Sequence, residues 1–195
     1  MKLTLTILGI LLLNFVNAQV SQVKFKDQTF ENGMKYPQVI LDDKIKEGAI
    51  NDDILKELED LKASDFCIGQ YGYVQKSIYL QIHVFCNCID FEESQNRYYL
   101  YDIEEAIAIP YSALIEEKGT KRLSALLIEK TKTFASTKNI ELPNNFIEQV
   151  EKSNLDAYQI VMKREGLDLW INSKKEASLF ISWAELKPFM KLHFI

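Results

Sequence analysis

The most reactive side chains of this sequence are Cys67, Cys86 and Cys88, with His83 ahead of two of them in the pattern His83-x-x-Cys86-x-Cys88. Imidazole and thiolate together suit zinc or copper, whereas cysteines in an oxidising compartment form disulfides. The surrounding pattern separates the two. Ile78, Leu80, Ile82, Val84 and Cys86 alternate with Tyr79, Gln81, His83 and Phe85, the period of a long β-strand. On such a strand Cys86 and Cys88 share one face and His83 takes the other, so no metal site is expected. Cys67 to Val74 reads as the partner strand. A turn at Lys76-Ser77 sets Gln75 opposite Ile78 and Cys67 opposite Cys86, which makes Cys67–Cys86 the expected bond. A displaced turn selects Cys88 instead. Either closure stabilises by about 3 kcal/mol on the chain-entropy model, and one thiol is left over.

Acid–base chemistry has less to work with. The histidines are His83 and His193, and neither adjoins a nucleophile motif. The sequence contains no Gly-x-Ser-x-Gly elbow, no phosphate-cradling glycine loop and no His-Glu-x-x-His helix. Carboxylates come in adjacent pairs, Glu92-Glu93, Glu104-Glu105 and Glu116-Glu117. Such pairs are ordinarily solvated surface, while a glycosidase pair can be drawn from anywhere along a chain. No catalytic residue and no cofactor are assigned, and a cell-wall-active enzyme stands as an alternative reading. Tyr71, Tyr73, Tyr79, Tyr98, Tyr99 and Tyr101 crowd the central strands. They read first as core or sheet-face residues, and outward-facing ones would suit a protein-binding patch.

The elements that must position these groups are strands and helices in blocks. An N-terminal arm or strand (residues 19–31), the turn Asn32-Gly33 and a second extended piece (residues 36–40) come first. Ile50, Ile54, Leu58 and Leu61 then fall at helical spacing between Asp43 and Leu61. After the cysteine strands, residues 90–96 form an acidic loop and residues 98–103 a third strand. A single helical turn is expected over residues 112–117 and a helix over 121–134. Another helix, with Pro143 in its first turn, carries Phe146, Ile147 and Val150. Tyr158, Ile160 and Met162 alternate, Glu165-Gly166 offers a hairpin turn, and Leu167, Leu169 and Ile171 alternate again. A short strand (residues 179–181) leads into Ser182-Trp183-Ala184-Glu185, a capping box for a helix limited by Pro188. Blocks of this kind predict an α+β fold, an antiparallel sheet packed against helices in a single domain.

The first eighteen residues read as an export signal. Lys2 precedes the apolar run from Leu3 to Leu13, and Val16-Asn17-Ala18 places cleavage between Ala18 and Gln19. The run is short for a membrane span, so a periplasmic or extracellular domain over residues 19–195, without stable membrane insertion, is expected. The formal charge of −5 becomes one unit more acidic without Lys2. That balance disfavours nucleic acid and anionic membranes, which require clustered cations, and is compatible with a basic protein partner.

Several segments resemble a family of bacterial exported domains of unknown function. Tyr36-Pro37-Gln38-Val39 followed by Ile50-Asn51-Asp52-Asp53-Ile54 is similar to its opening. Tyr99-Leu100-Tyr101-Asp102-Ile103 and Pro110-Tyr111-Ser112-Ala113-Leu114-Ile115 are similar to its central strand and the element after it. Tyr158-Gln159-Ile160, Glu165-Gly166-Leu167 and the run from Ile181 to Phe189 resemble its ending. Asp102-Ile103-Glu104-Glu105 departs from it in lacking a glycine, and Trp183 stands where tyrosine is frequent. Domains of this family occur in the external part of RsiV-type lysozyme-binding anti-sigma factors and beside peptidoglycan deacetylase domains. The resemblance implies an exported α+β binding domain that recognises lysozyme or another wall hydrolase, and assigns no contact residue. Asp90, Glu92, Glu93, Glu104 and Glu105 are the acids expected to meet a basic partner. A periplasmic immunity protein against a delivered toxin is the other binding reading.

Overall fold

The structure, a computed structural model, describes residues 22–171 and 177–191. The export signal and its cleavage point, like His193, lie outside the described residues. Strands β1 (Lys24–Thr29) and β2 (Lys35–Ile40) form an antiparallel hairpin. Its turn uses Gly33 at a φ of 91°, a left-handed conformation that glycine adopts without a Cβ clash. Helix α1 (Lys44–Glu57) starts at Asp43, whose carboxylate accepts from the Ile45 and Lys46 amides. The chain breaks at Leu58 and resumes as the short α2 (Glu59–Lys62). Ile50, Ile54, Leu58 and Leu61, the expected helical stripe, are all fully buried. Asn51 on α1 donates to the Val39 carbonyl and accepts from the Val39 amide, standing in for a strand neighbour that β2 lacks.

Four strands follow in the order β3 (Cys67–Lys76), β4 (Tyr79–Cys88), β5 (Gln95–Asp102) and β6 (Ile107–Ala108), all antiparallel. The β3–β4 register corrects the sequence-based pairing. Lys76 faces Tyr79, so the turn is Ser77-Ile78, with Ser77 at a φ of 53°. Moving the turn by one residue shifts the pairing by two. The faces are kept, but Cys67 now stands opposite Cys88 and is bonded to it, while Cys86 faces Gly69 as a buried free thiol.

Beyond β6 the chain makes a 3-10 turn (Tyr111–Leu114), then α3 (Thr120–Lys138) and α4 (Phe146–Ser153). Pro143 sits before α4, its carbonyl accepting from the Phe146 amide, and not in the first helical turn. Strands β7 (Gln159–Met162), β8 (Gly166–Ile171) and β9 (Ala177–Ser182) form a third sheet in sequence order. Gly166 is a strand residue and not a turn residue. A Cβ there would be driven into the Ile181 carbonyl and Ser182 Cα of β9, so glycine permits the close approach of the two strands. The capping box forms as read, with Ser182 and Glu185 at the start of α5 (Trp183–Leu186).

The fold is α+β, and the described residues form three antiparallel sheets in place of the one the sequence suggested. The four-stranded sheet divides two cores. Leu80, Ile82, Val84, Cys86 and Tyr101 on its inner face pack with the hairpin and α1. Tyr79 and Leu100 on its outer face pack with α3, α4 and the third sheet. Among the described residues no helix is long and apolar enough to cross a membrane.

Candidate binding surface

Strand alternation and register give the outer face of β3, β4 and β5 as five rows: Ile68–Asn87, Gln70–Phe85–Asn96, Gly72–His83–Tyr98, Val74–Gln81–Leu100 and Lys76–Tyr79–Asp102. The last two rows carry the buried Tyr79, Gln81 and Leu100, because the third sheet docks there. Gln81 makes that docking specific. Its amide donates to the Ile160 carbonyl at 2.7 Å and to the Tyr111 hydroxyl, and its oxygen accepts from the Met162 amide at 2.8 Å. One side chain thereby satisfies the backbone edge of β7 across a boundary where no strand pairs with it.

Among the described residues nothing covers the first three rows. Gln70, Gly72, Asn87 and Asn96 are exposed, and His83, Phe85 and Tyr98 half-buried. His83 stacks on Tyr98 with centroids 4.2 Å apart and rings 6° from parallel, and its Nε2 lies 3.1 Å from the Asn96 Oδ1. The ladder runs one pair past the strands, the Ile89 amide donating to the Phe66 carbonyl at 3.1 Å. Phe66, Ile68 and Ile89 are 55%, 66% and 72% exposed. The Cys67–Cys88 bond joins the strand ends that carry them.

Charge surrounds this apolar end unequally. Asp90 accepts from the Ser64 hydroxyl and from the Asp65 amide, tying the β4–β5 loop to the approach to β3. Glu92 and Glu93 are exposed in the same loop. Glu104 and Glu105 lie at the opposite end of the eight-residue β5, roughly 25 Å away, where their amides donate to Asp102. The five acids singled out from the sequence therefore form two clusters, and only the first borders the open face.

The other features that drew attention in the sequence disperse. His83 is on the outer face, Cys86 and Cys88 are buried on the inner one, and the three side chains do not converge. Burial also pushes the Cys86 thiol above its ordinary pKa. Of the six tyrosines, Tyr98 alone belongs to the open rows. Tyr71 donates to Asp27 under the hairpin, and burial with that carboxylate pushes its phenol up to about 12. Tyr101 is fully buried and donates to Asp53 at 3.0 Å. Among the described residues the resolved carboxylate shifts, at Glu47, Asp60 and Glu185, are all downward, each led by a bond to Lys44, Arg97 or Lys130.

Two clefts that the sequence did not reveal flank β5 where β6 stops. One, of 460 Å³, is lined by Asn96, Tyr98, Pro110, Tyr111, Asp156 and Gln159 among others. The second, of 320 Å³, lies on the other side of the strand against Asp53 and Glu57 of α1, with Tyr99 and Ile109. Their residues are far apart in sequence and no spacing rule connects them.

Together these features define an antiparallel α+β domain with a half-covered sheet and an aromatic, acid-bordered open face. No family model and no curated protein matches the sequence. Among solved structures, a DUF3298 family protein from Pseudomonas aeruginosa aligns over 89% of this chain and 94% of its own, with a TM-score of 0.51 and 8% identity. A DUF3298 family member from Bacteroides fragilis aligns over 88% of this chain and 93% of its own, with a TM-score of 0.47 and 9% identity. The Pseudomonas likeness is one of fold.

Proposed function

We propose that this chain is an exported, non-enzymatic binding domain for a basic protein, lysozyme or another cell-wall hydrolase. The observation that carries the reading is the open end of the sheet, where exposed Phe66, Ile68 and Ile89 stand beside Glu92 and Glu93. An apolar centre with a charged margin suits protein recognition, since desolvated apolar and aromatic anchors supply affinity. Marginal charge supplies on-rate and selectivity. The resemblance of the sequence to RsiV-type external domains supports the choice of partner.

Calorimetric titration of the oxidised protein with a basic lysozyme, at low and high salt, tests the proposal. Saturable one-to-one binding that weakens with salt is expected. Glu92→Lys combined with Glu93→Lys should weaken it about tenfold without unfolding the protein, because both acids are exposed. Asp90 is a poorer test, since its carboxylate holds Ser64 and Asp65. Absence of heat at high protein concentration would remove lysozyme. Binding indifferent to the double variant would remove the acidic loop.

A further inference from the structure

In an antiparallel ladder each residue turns both its N–H and its C=O to the same side, and consecutive residues alternate sides. The bond from the Ile103 amide to the Ile78 carbonyl places the odd-numbered groups of β5 toward β4. The even-numbered groups then face outward, as the bond from the Ile109 amide to the Leu100 carbonyl shows. Leu100 and Asp102 thus look toward β6, whose pairing covers Tyr101 and Asp102. Toward the start of β5 no described residue continues that ladder. Pro110, at φ −72° and ψ 155°, leads the chain away into the 3-10 turn. The outward amides and carbonyls of Asn96 and Tyr98 have no partner among the described residues. Sheet edges are commonly blunted by lysine, proline or a bulge, and these two positions carry none of them.

The side chains beside this edge complete the pattern. Residues of an added strand would point alternately to the two faces of the sheet, and each face holds one of the clefts flanking β5. Both are acidic, one through Asp156 and the other through Asp53 and Glu57. Arg97, the cation on the same strand, is already paired with Asp60 in a two-point contact with its carboxylate. We infer that the open edge of β5 at Asn96 and Tyr98 is a strand-addition site. Its occupant is an extended segment of a partner protein carrying lysine or arginine at two consecutive positions, one side chain for each face. Main-chain pairing would supply affinity and the two acidic clefts the side-chain preference. The inference rests on the reading of this domain as a protein-binding module, but not on the partner being a wall hydrolase.

The probe is a short synthetic peptide with a central pair of consecutive lysines flanked by valine and threonine, added to the oxidised full-length mature protein. Amide exchange is followed by nuclear magnetic resonance. The Asn96 and Tyr98 amides should exchange fast in the free protein and slow by about tenfold or more at saturation. Arg97 and Tyr99, already in the β4 ladder, should change little. The same peptide with glutamate for lysine should not bind. Nor should the lysine peptide N-methylated on every amide, which keeps charge and side chains but leaves neither edge an N–H to pair. Glu57→Lys, at an exposed position, should weaken the lysine peptide several-fold. No binding, binding without protection at Asn96 and Tyr98, or equal binding of the methylated peptide would each overturn the inference. So would a dimeric free protein with those amides already protected, since a second copy would then occupy the edge. Peptide binding without lysozyme binding would retain this site and reject the lysozyme reading, and the reverse result would do the opposite.

Discussion

Gln81 and His83 are two residues apart on the same face of β4, yet one is sealed in the protein interior and the other stands at an open surface. Both are polar, both alternate with the same apolar set, and both have a neighbour on β5, Leu100 for one and Tyr98 for the other. What separates them is the third sheet, which docks over the Gln81 row and stops short of the His83 row. The boundary between core and open face is therefore set by the docking of the third sheet, and one amide side chain supplies its specificity.

Removing that amide should have the largest effect. Gln81→Leu keeps bulk but leaves the Met162 N–H and the Ile160 carbonyl buried without partners, along with the Tyr111 hydroxyl. Each orphaned buried group costs about 1–3 kcal/mol, so a loss of about 4 kcal/mol in urea unfolding is expected. Trp170 and Trp183, the two tryptophans of the chain, lie on β8 and α5. Fluorescence therefore reports the docked layer, while circular dichroism reports the whole. The variant should lose the fluorescence transition at lower urea than the dichroic one. Coincident transitions at the original midpoint would show that docking does not depend on Gln81.

Why this was hard to read in the sequence follows from the same contrast. The alternation from Ile78 to Cys86 locates the strand and assigns inner and outer faces correctly, because burial of one face dictates a period of two. It says nothing about what covers the outer face, so Gln81, His83 and Phe85 look equivalent. The register missed by two because Ser77-Ile78 lacks the Asn-Gly or Asp-Gly signature that normally marks a two-residue turn, though Ser77 adopts the left-handed φ. Gly166 misled in the opposite sense, looking like a turn glycine while serving a close strand contact. Local signals fared better. The capping box at Ser182 and Glu185, the Asn32-Gly33 turn and the buried helical stripe of Ile50, Ile54, Leu58 and Leu61 need only neighbours within a few residues. The clefts beside β5 join residues from α1, β5, the turn after β6 and the start of β7, a juxtaposition that only the folded chain creates.

A smaller effect should sharpen the view of the docked layer. Glu185 accepts from Lys130 at 2.7 Å and from the Ser182 amide and hydroxyl, and these bonds hold its carboxyl down at about 2. A depressed carboxylate pKa contributes stability that is fully present above the unfolded value, near 4.3, and is lost as pH falls through the folded one. The side chain is substantially exposed, so solvent screening reduces the contribution to about 1 kcal/mol. Glu185→Gln should therefore lie about 1 kcal/mol below the parent near neutral pH, with the gap closing between about pH 4.5 and pH 2. A gap independent of pH would assign the role to shape and not to charge.

The smallest expected effect on stability is on the open face itself. Ile68 lies 66% exposed at the apolar end of the uncovered rows, opposite Asn87, with no core to lose. Ile68→Ser should change the unfolding free energy by less than about 0.5 kcal/mol, the usual range for surface positions away from special features. An apolar side chain held in water on a strand end gains little for the folded chain, so its value must come from elsewhere if it has one. If the face is a recognition surface, the same substitution should leave the melting curve in place and lower affinity for the basic partner. A loss of stability comparable to the Gln81 variant would instead mean that the first rows are covered in solution, and the contrast between the two ends of the sheet would disappear.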